Sequence, residues 1–97
     1  MLFAVIAKDK PDHVEVRKAN REAHLAFLSG LGGRVKLAGP LLDTSGDTMT
    51  GTLLVIEADS TAAATTTMAG DPYAKAGLFQ SVEIRPWKWV VNPPAGD

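Results

Sequence analysis

Residues Leu2-Phe3-Ala4-Val5-Ile6-Ala7 form an unbroken apolar run that stops at Lys8-Asp9-Lys10-Pro11. A strand with one wet face alternates apolar and polar side chains, whereas a strand without that alternation is covered on both sides. The run therefore predicts a first strand in the middle of a sheet. Helices can cover one face of it, and something else must cover the other. Six residues are far too few to span a membrane, and neither a basic segment nor a small-residue cleavage site accompanies them as in an export signal. The expectation is a cytoplasmic protein whose mature chain starts at or near Met1.

Downstream, the pattern changes period. Asp12 followed three residues later by Glu15 has the spacing of a capping box, which predicts a helix from there to about Leu31, closed by Gly30, Gly32 and Gly33. On a helical wheel Phe27, Leu28 and Leu31 cluster around His24, while Glu15, Lys18, Glu22 and Ser29 lie opposite. Arg17, Asn20 and Arg21 share the side of His24 one or two turns earlier. The apolar stripe thus turns polar toward the helix start, as it does at the opening of a cavity.

Val35, Leu37 and Ala38-Gly39-Pro40 predict a short second strand. Asp43, Ser45, Gly46 and Asp47 mark a hairpin loop over residues 41–50, and residues 51–58 give an apolar third strand paired antiparallel to the second. Asp59 or Ser60 caps a helix over residues 61–69. The alternation of Val82 and Ile84 with Ser81, Glu83 and Arg85 is a fourth strand, and Pro86 bends it toward a short fifth strand carrying Trp87, Trp89 and Val91. The order is β-α-β-β-α-β, the split-βαβ or ferredoxin-like α+β arrangement, with a four-stranded antiparallel sheet and both helices on one face. Residues 1–92 form the single domain, and 93–97 are a flexible tail. The bare sheet face is apolar, and packing against a second copy hides it.

Between the second helix and the fourth strand lies Asp71-Pro72-Tyr73-Ala74-Lys75-Ala76-Gly77. Pro72 suits the first position of a short helix, Asp71 its N-cap, and Gly77 the left-handed residue that ends it. A carboxylate is thereby held at a fixed corner, close to the positive end of a helix that favours its ionised form.

Composition narrows the functional classes. A formal net charge of −1 over 97 residues gives no electrostatic reason to bind nucleic acid or an anionic membrane. The absence of cysteine removes thiol catalysis and cysteine-based metal centres. His13 and His24 stand eleven residues apart on one helix, about 16 Å along its axis, so one ion cannot take both. There is no H-E-x-x-H, no glycine loop ahead of a helix and no nucleophile elbow. No metal and no cofactor are expected.

The chain resembles the YCII-related family of small proteins over nearly its whole length. The resemblance rests on Arg21-x-x-His24-Leu25, on Ala38-Gly39-Pro40, and on D-P-Y-x-x-A-G from Asp71 to Gly77 with the strand that follows through Arg85-Pro86-Trp87. It implies a ferredoxin-like fold that dimerises into an α+β barrel, with a His/Asp pair in a cleft as the presumed active site. Carried over, those two residues are His24 and Asp71. Relatives often have Gly-Ser where this chain has Gly51-Thr52. The hydroxyl is kept, but the added methyl narrows the cleft, so the resemblance carries no substrate over. A few relatives act on chlorinated hydroxyaromatic breakdown intermediates or resemble muconolactone isomerases.

Each site residue also has a structural reading. A lone histidine on an apolar helix face is commonly a hydrogen-bonded core residue, and Asp71 is an N-cap whether or not it does chemistry. An imidazole with one nitrogen on a carboxylate and the other free for substrate is nevertheless what a general base requires. Arg17 and Arg21 offer planar forks for a carboxylate or phenolate, or else pair with Asp12, Glu22 or Asp71. Thr52 and Tyr73 supply hydroxyls to the cleft, or in the case of Tyr73 simply packing. Trp87 and Trp89 cover the sheet or a dimer seam. The expectation is a small homodimer in which His24 and Asp71 move a proton on a small anionic cyclic or aromatic molecule, by elimination or isomerisation. A non-catalytic ligand-binding or interaction domain on the same cleft and a cofactor-free monooxygenase on the related dimeric barrel are the competing readings.

Overall fold

The computed structural model describes residues 1–94. Its elements are β1 (Leu2–Asp9), α1 (Val14–Leu31), a single 3-10 turn (Gly32–Arg34), β2 (Val35–Leu42), β3 (Met49–Glu57), α2 (Thr61–Ala69), α3 (Pro72–Lys75) and β4 (Phe79–Trp87). The four strands form one antiparallel sheet in the order β2-β3-β1-β4, so the apolar run at the start of the chain is a central strand. This is the expected β-α-β-β-α-β topology. Alternate residues of β1 and β3, Phe3 opposite Ile56 and Val5 opposite Leu54, face the helices. With Ala64 and Met68 of α2 they form the core, closed at its edges by Leu28, Val35, Ala58 and Ile84. Each of the large apolar side chains fully buried there contributes about 1.5–3 kcal/mol relative to exposure.

Local chemistry explains most of the boundaries. Ser60 caps α2 through its hydroxyl, which accepts from the Ala63 N–H at 3.0 Å. Asp71 caps α3, with Pro72 at the first helical position and Gly77 at φ 73° beyond its end. Three expectations are corrected. The capping box at Asp12 does not form: Asp12 sits at φ 59° and α1 begins after His13, whose Nδ1 lies 2.8 Å from the Pro11 carbonyl instead of capping the helix. Pro11 holds the approach to α1 in a turn, which leaves Asp12 too early to reach the first free N–H groups. Strand β2 runs on through Pro40 to Leu42, and the hairpin loop shrinks accordingly, because Pro40 sits on an edge strand where a missing N–H breaks no ladder. There is likewise no fifth strand among the described residues. Edge strand β4 passes straight through Pro86 to Trp87 and then ends. Residues 95–97 of the expected tail lie outside the described residues.

On the face turned away from the helices, Leu2, Ala4 and Ile6 of β1 lie beside Val55, Leu53 and, across β3, Leu37 and Leu41. Leu37, Leu53 and Trp87 are more than one-third exposed there. No helix among the described residues is long and apolar enough to cross a membrane.

Candidate active site

Two positions on α1 are buried, and both are polar: Arg17 and His24. Seven residues are almost two full turns, so both side chains leave the same helix face about 10 Å apart. The ring of Tyr73 fills the slot between them. It stacks on the His24 imidazole with centroids 4.0 Å apart and an interplanar angle of 13°, and the Arg17 guanidinium carbon sits 4.6 Å from its centroid. Phe79 meets the same tyrosine edge-on at 6.1 Å.

His24 and Asp71 do meet. His24 Nδ1 lies 2.9 Å from Asp71 Oδ1 and 3.0 Å from Oδ2, and the aspartate is completely buried. A carboxylate can only accept, so Nδ1 carries the proton it donates. Asp71 Oδ1 also accepts from the Tyr73 N–H at 2.9 Å, which is the N-cap bond of α3. The same carboxylate therefore caps a helix and fixes an imidazole.

A second buried pair lies on the far side of Tyr73. Arg17 Nε donates to Asp9 Oδ2 at 2.7 Å, and Nη2 donates to Asp9 Oδ1 at 3.0 Å and to the Thr52 hydroxyl at 2.7 Å. The sequence reading placed Arg17 against other carboxylates and left Asp9 out of the site. The signal was present: Phe3, Val5 and Ala7 face the helices, and continuing that alternation by one step puts Asp9 among them. Backbone bonds from Leu78 N–H to the Tyr73 carbonyl and from Lys10 N–H to the Leu78 carbonyl bring this end of β1 beside α3.

Arg17, His24, Thr52 and Tyr73 border a cavity of about 240 Å³ between the sheet and α1. Its polar side is Arg17, Arg21, His24, Thr52 and Tyr73, and its apolar wall comes from Leu25, Leu28, Met49 and the Ala38-Gly39-Pro40 segment of β2. Arg21 is exposed, lines the cavity, and has no ion-pair partner among the described residues. Burial pushes the Tyr73 phenol above its ordinary value of 10.0, against the pull of the Arg17 charge and donors and the Arg21 charge. His13, the other histidine, does not line this cavity. All six residues singled out in the sequence thus border one space or, in the case of Asp71, bond directly to a group that does.

Fold and site together define a ferredoxin-like α+β protein with a buried His–Asp pair whose histidine borders a cavity of about 240 Å³. The chain belongs to the YCII-related family, whose domain model matches residues 1–88. It is 37% identical to the protein YciI of Escherichia coli, over 93% of this chain and 99% of that one. Among solved structures it is similar to 5-chloro-2-hydroxyhydroquinone dehydrochlorinase from Burkholderia phenoliruptrix in complex with 2,5-dihydroxybenzoquinone, with a TM-score of 0.83, 38% identity, and 91% of this chain and 94% of that one covered. An antibiotic biosynthesis monooxygenase, at TM-score 0.57 and 11% identity over 93% of this chain and 99% of that one, shares the fold alone.

Proposed function

We propose that this protein is a cofactor-independent enzyme in which His24, oriented by Asp71, takes and returns a proton on a small anionic cyclic or aromatic molecule. The observation that carries the reading is the buried imidazole whose Nδ1 is fixed by both oxygens of Asp71, while no group among the described residues bonds its other nitrogen beside the cavity. That is the arrangement a general base needs. The base removes a proton next to a carbonyl or from a ring hydroxyl; then either the freed electron pair expels a leaving group as its anion through the conjugated ring, which is elimination, or the proton returns elsewhere, which is isomerisation. Arg21, unpaired at the cavity, receives the negative oxygen of the substrate, and Arg17, Thr52 and Tyr73 complete the polar side. A dry engineered cavity of roughly 150 Å³ holds benzene, so about 240 Å³ accommodates one substituted ring. The working form is a homodimer joined through the apolar sheet face opposite the helices.

The likeness to a dehydrochlorinase makes 5-chloro-2-hydroxyhydroquinone the first substrate to offer. Chloride release by the native protein, reduced on the order of a hundredfold or more in a folded His24→Ala variant, is the expected result. Binding with no product from this compound or its ring analogues would make the protein a ligand-binding domain. Oxygen consumption on an electron-rich phenol would make it a monooxygenase.

A further inference from the structure

The proposed chemistry uses Asp71 but leaves the other buried carboxylate, Asp9, without a task. It lies on the opposite side of Tyr73 from the His24–Asp71 pair, and its side chain is only 6% exposed. Burying a carboxylate and a guanidinium together is a weak route to stability, since the desolvation penalty rivals the attraction. What such a pair does supply is fixed geometry, because both oxygens of Asp9 engage the two-pronged side of the guanidinium.

The consequence reaches the cavity through Thr52. Its hydroxyl oxygen accepts from Arg17 Nη2 at 2.7 Å, and that is its one hydrogen bond among the described residues. A hydroxyl whose oxygen is already receiving a proton donor still has its own hydrogen to give. Thr52 lines the cavity, so that hydrogen is available to an acceptor atom of whatever binds there. Hydrogen bonds in series polarise one another. Asp9, Arg17 and Thr52 therefore make a chain running from a buried anion to a hydroxyl donor facing the ligand.

We propose that Asp9 is a positioning residue of this site: by locking Arg17 against Tyr73 and onto Thr52, it sets the Thr52 hydroxyl as a donor to a carbonyl or phenolate oxygen of the ligand. The inference rests on the functional reading above for the existence of a ligand, and on the geometry alone for the coupling of Asp9 to Arg17.

The probe is 2,5-dihydroxybenzoquinone, titrated against the full chain by calorimetry. Thr52→Val and Asp9→Asn are each expected to weaken binding about tenfold, Thr52→Ser to restore it to within about twofold, and the double variant to bind no worse than either single one. Independent sites would instead add their losses, and an additive double variant overturns the proposal. A second readout needs no ligand. Tyr73 is the only tyrosine in the chain, so its phenolate absorbance is read without assignment. Once Asp9→Asn releases Arg17, the titration should move to higher pH, in step with Arg17→Gln. An unmoved or lowered titration means that Arg17 stays in place without Asp9, and the proposal falls. Should the native protein not bind the probe, the ligand reading fails and the phenolate titration alone decides the role of Asp9. If Asp9→Asn does not fold, Arg17→Lys substitutes for it, keeping the charge while losing the fork; full binding and an unmoved phenolate titration in that variant are equally fatal.

Discussion

At the scale of single residues, Asp71 holds two posts that substitution can separate. Asparagine caps a helix about as well as aspartate, so Asp71→Asn keeps the bond to the Tyr73 N–H, but its side chain can donate as well as accept and no longer dictates which nitrogen of His24 carries the proton. Turnover is expected to fall on the order of a hundredfold, while thermal unfolding shows α3 and its surroundings still in place. Asp71→Ala loses the cap as well, worth about 1 kcal/mol, and leaves the buried imidazole N–H unsatisfied at a further cost of about 1–3 kcal/mol. Urea unfolding of the two variants side by side measures the difference. Tyr73 gives a residue-level pH dependence. Its phenol is raised above 10.0 in the folded chain by burial, so above that pH the unfolded chain gives up the proton while the folded chain keeps it. Stability is then fully present below about pH 10 and falls as pH rises toward the folded value. Tyr73→Phe abolishes the Tyr73 part of that alkaline decline, which unfolding titrations at a series of pH values would register.

At the scale of elements, the site depends on strands β1 and β3 standing unusually close where Thr52 is presented. A Cβ on Gly51 would collide with the Ala7 carbonyl oxygen and also approach Leu41. Gly51→Ala must push β3 away from β1 next to Thr52, and overpacking of this kind costs about 1–3 kcal/mol. The expectation is a protein of lower urea midpoint that also binds ring ligands more weakly, because the displacement falls on Thr52. By periodicity Gly51 reads only as the start of a strand, since close backbone approach leaves no periodic trace. Other features were legible because their causes are local. The unmixed apolar run of β1, the Ser60 cap of α2 and the Asp71-Pro72…Gly77 corner each declare themselves within a few residues. His24 was legible from its place on the wheel, and its pairing with Asp71 came from family resemblance rather than from periodicity. What escaped the sequence was decided across the fold. Asp12 loses its capping role to the turn set by Pro11, β2 and β4 run through their prolines because both lie at sheet edges, and Asp9 joins the site because Arg17 comes down from α1 to meet it.

At the scale of the whole molecule, the arrangement is one-sided. Among the described residues the helices cover the face that carries Phe3, Val5, Leu54 and Ile56, and the opposite face offers Leu37, Leu41, Leu53 and Ile6 with no element over them. Leu37 on edge strand β2 and Leu53 on central strand β3 are each 37% exposed, and for Leu53 that is unusual for a leucine in the middle of a sheet. A specific protein interface buries about 800 Å² on each partner, an area a four-stranded sheet face can supply. If two copies join through it, folding is coupled to association, and the melting temperature rises with protein concentration. The native protein should sediment as a dimer at micromolar concentration and show that rise. Leu53→Lys, placed at the centre of the apolar face and far from His24, should sediment as a monomer with a lower, concentration-independent melting temperature. A single chain already brings Arg17, Arg21, His24, Thr52 and Tyr73 together at the cavity, so a folded Leu53→Lys monomer should still bind 2,5-dihydroxybenzoquinone if the native protein does. Loss of binding without unfolding would mean that the second copy completes the site, and a native protein that sediments as a monomer would leave the exposed leucines needing a different partner.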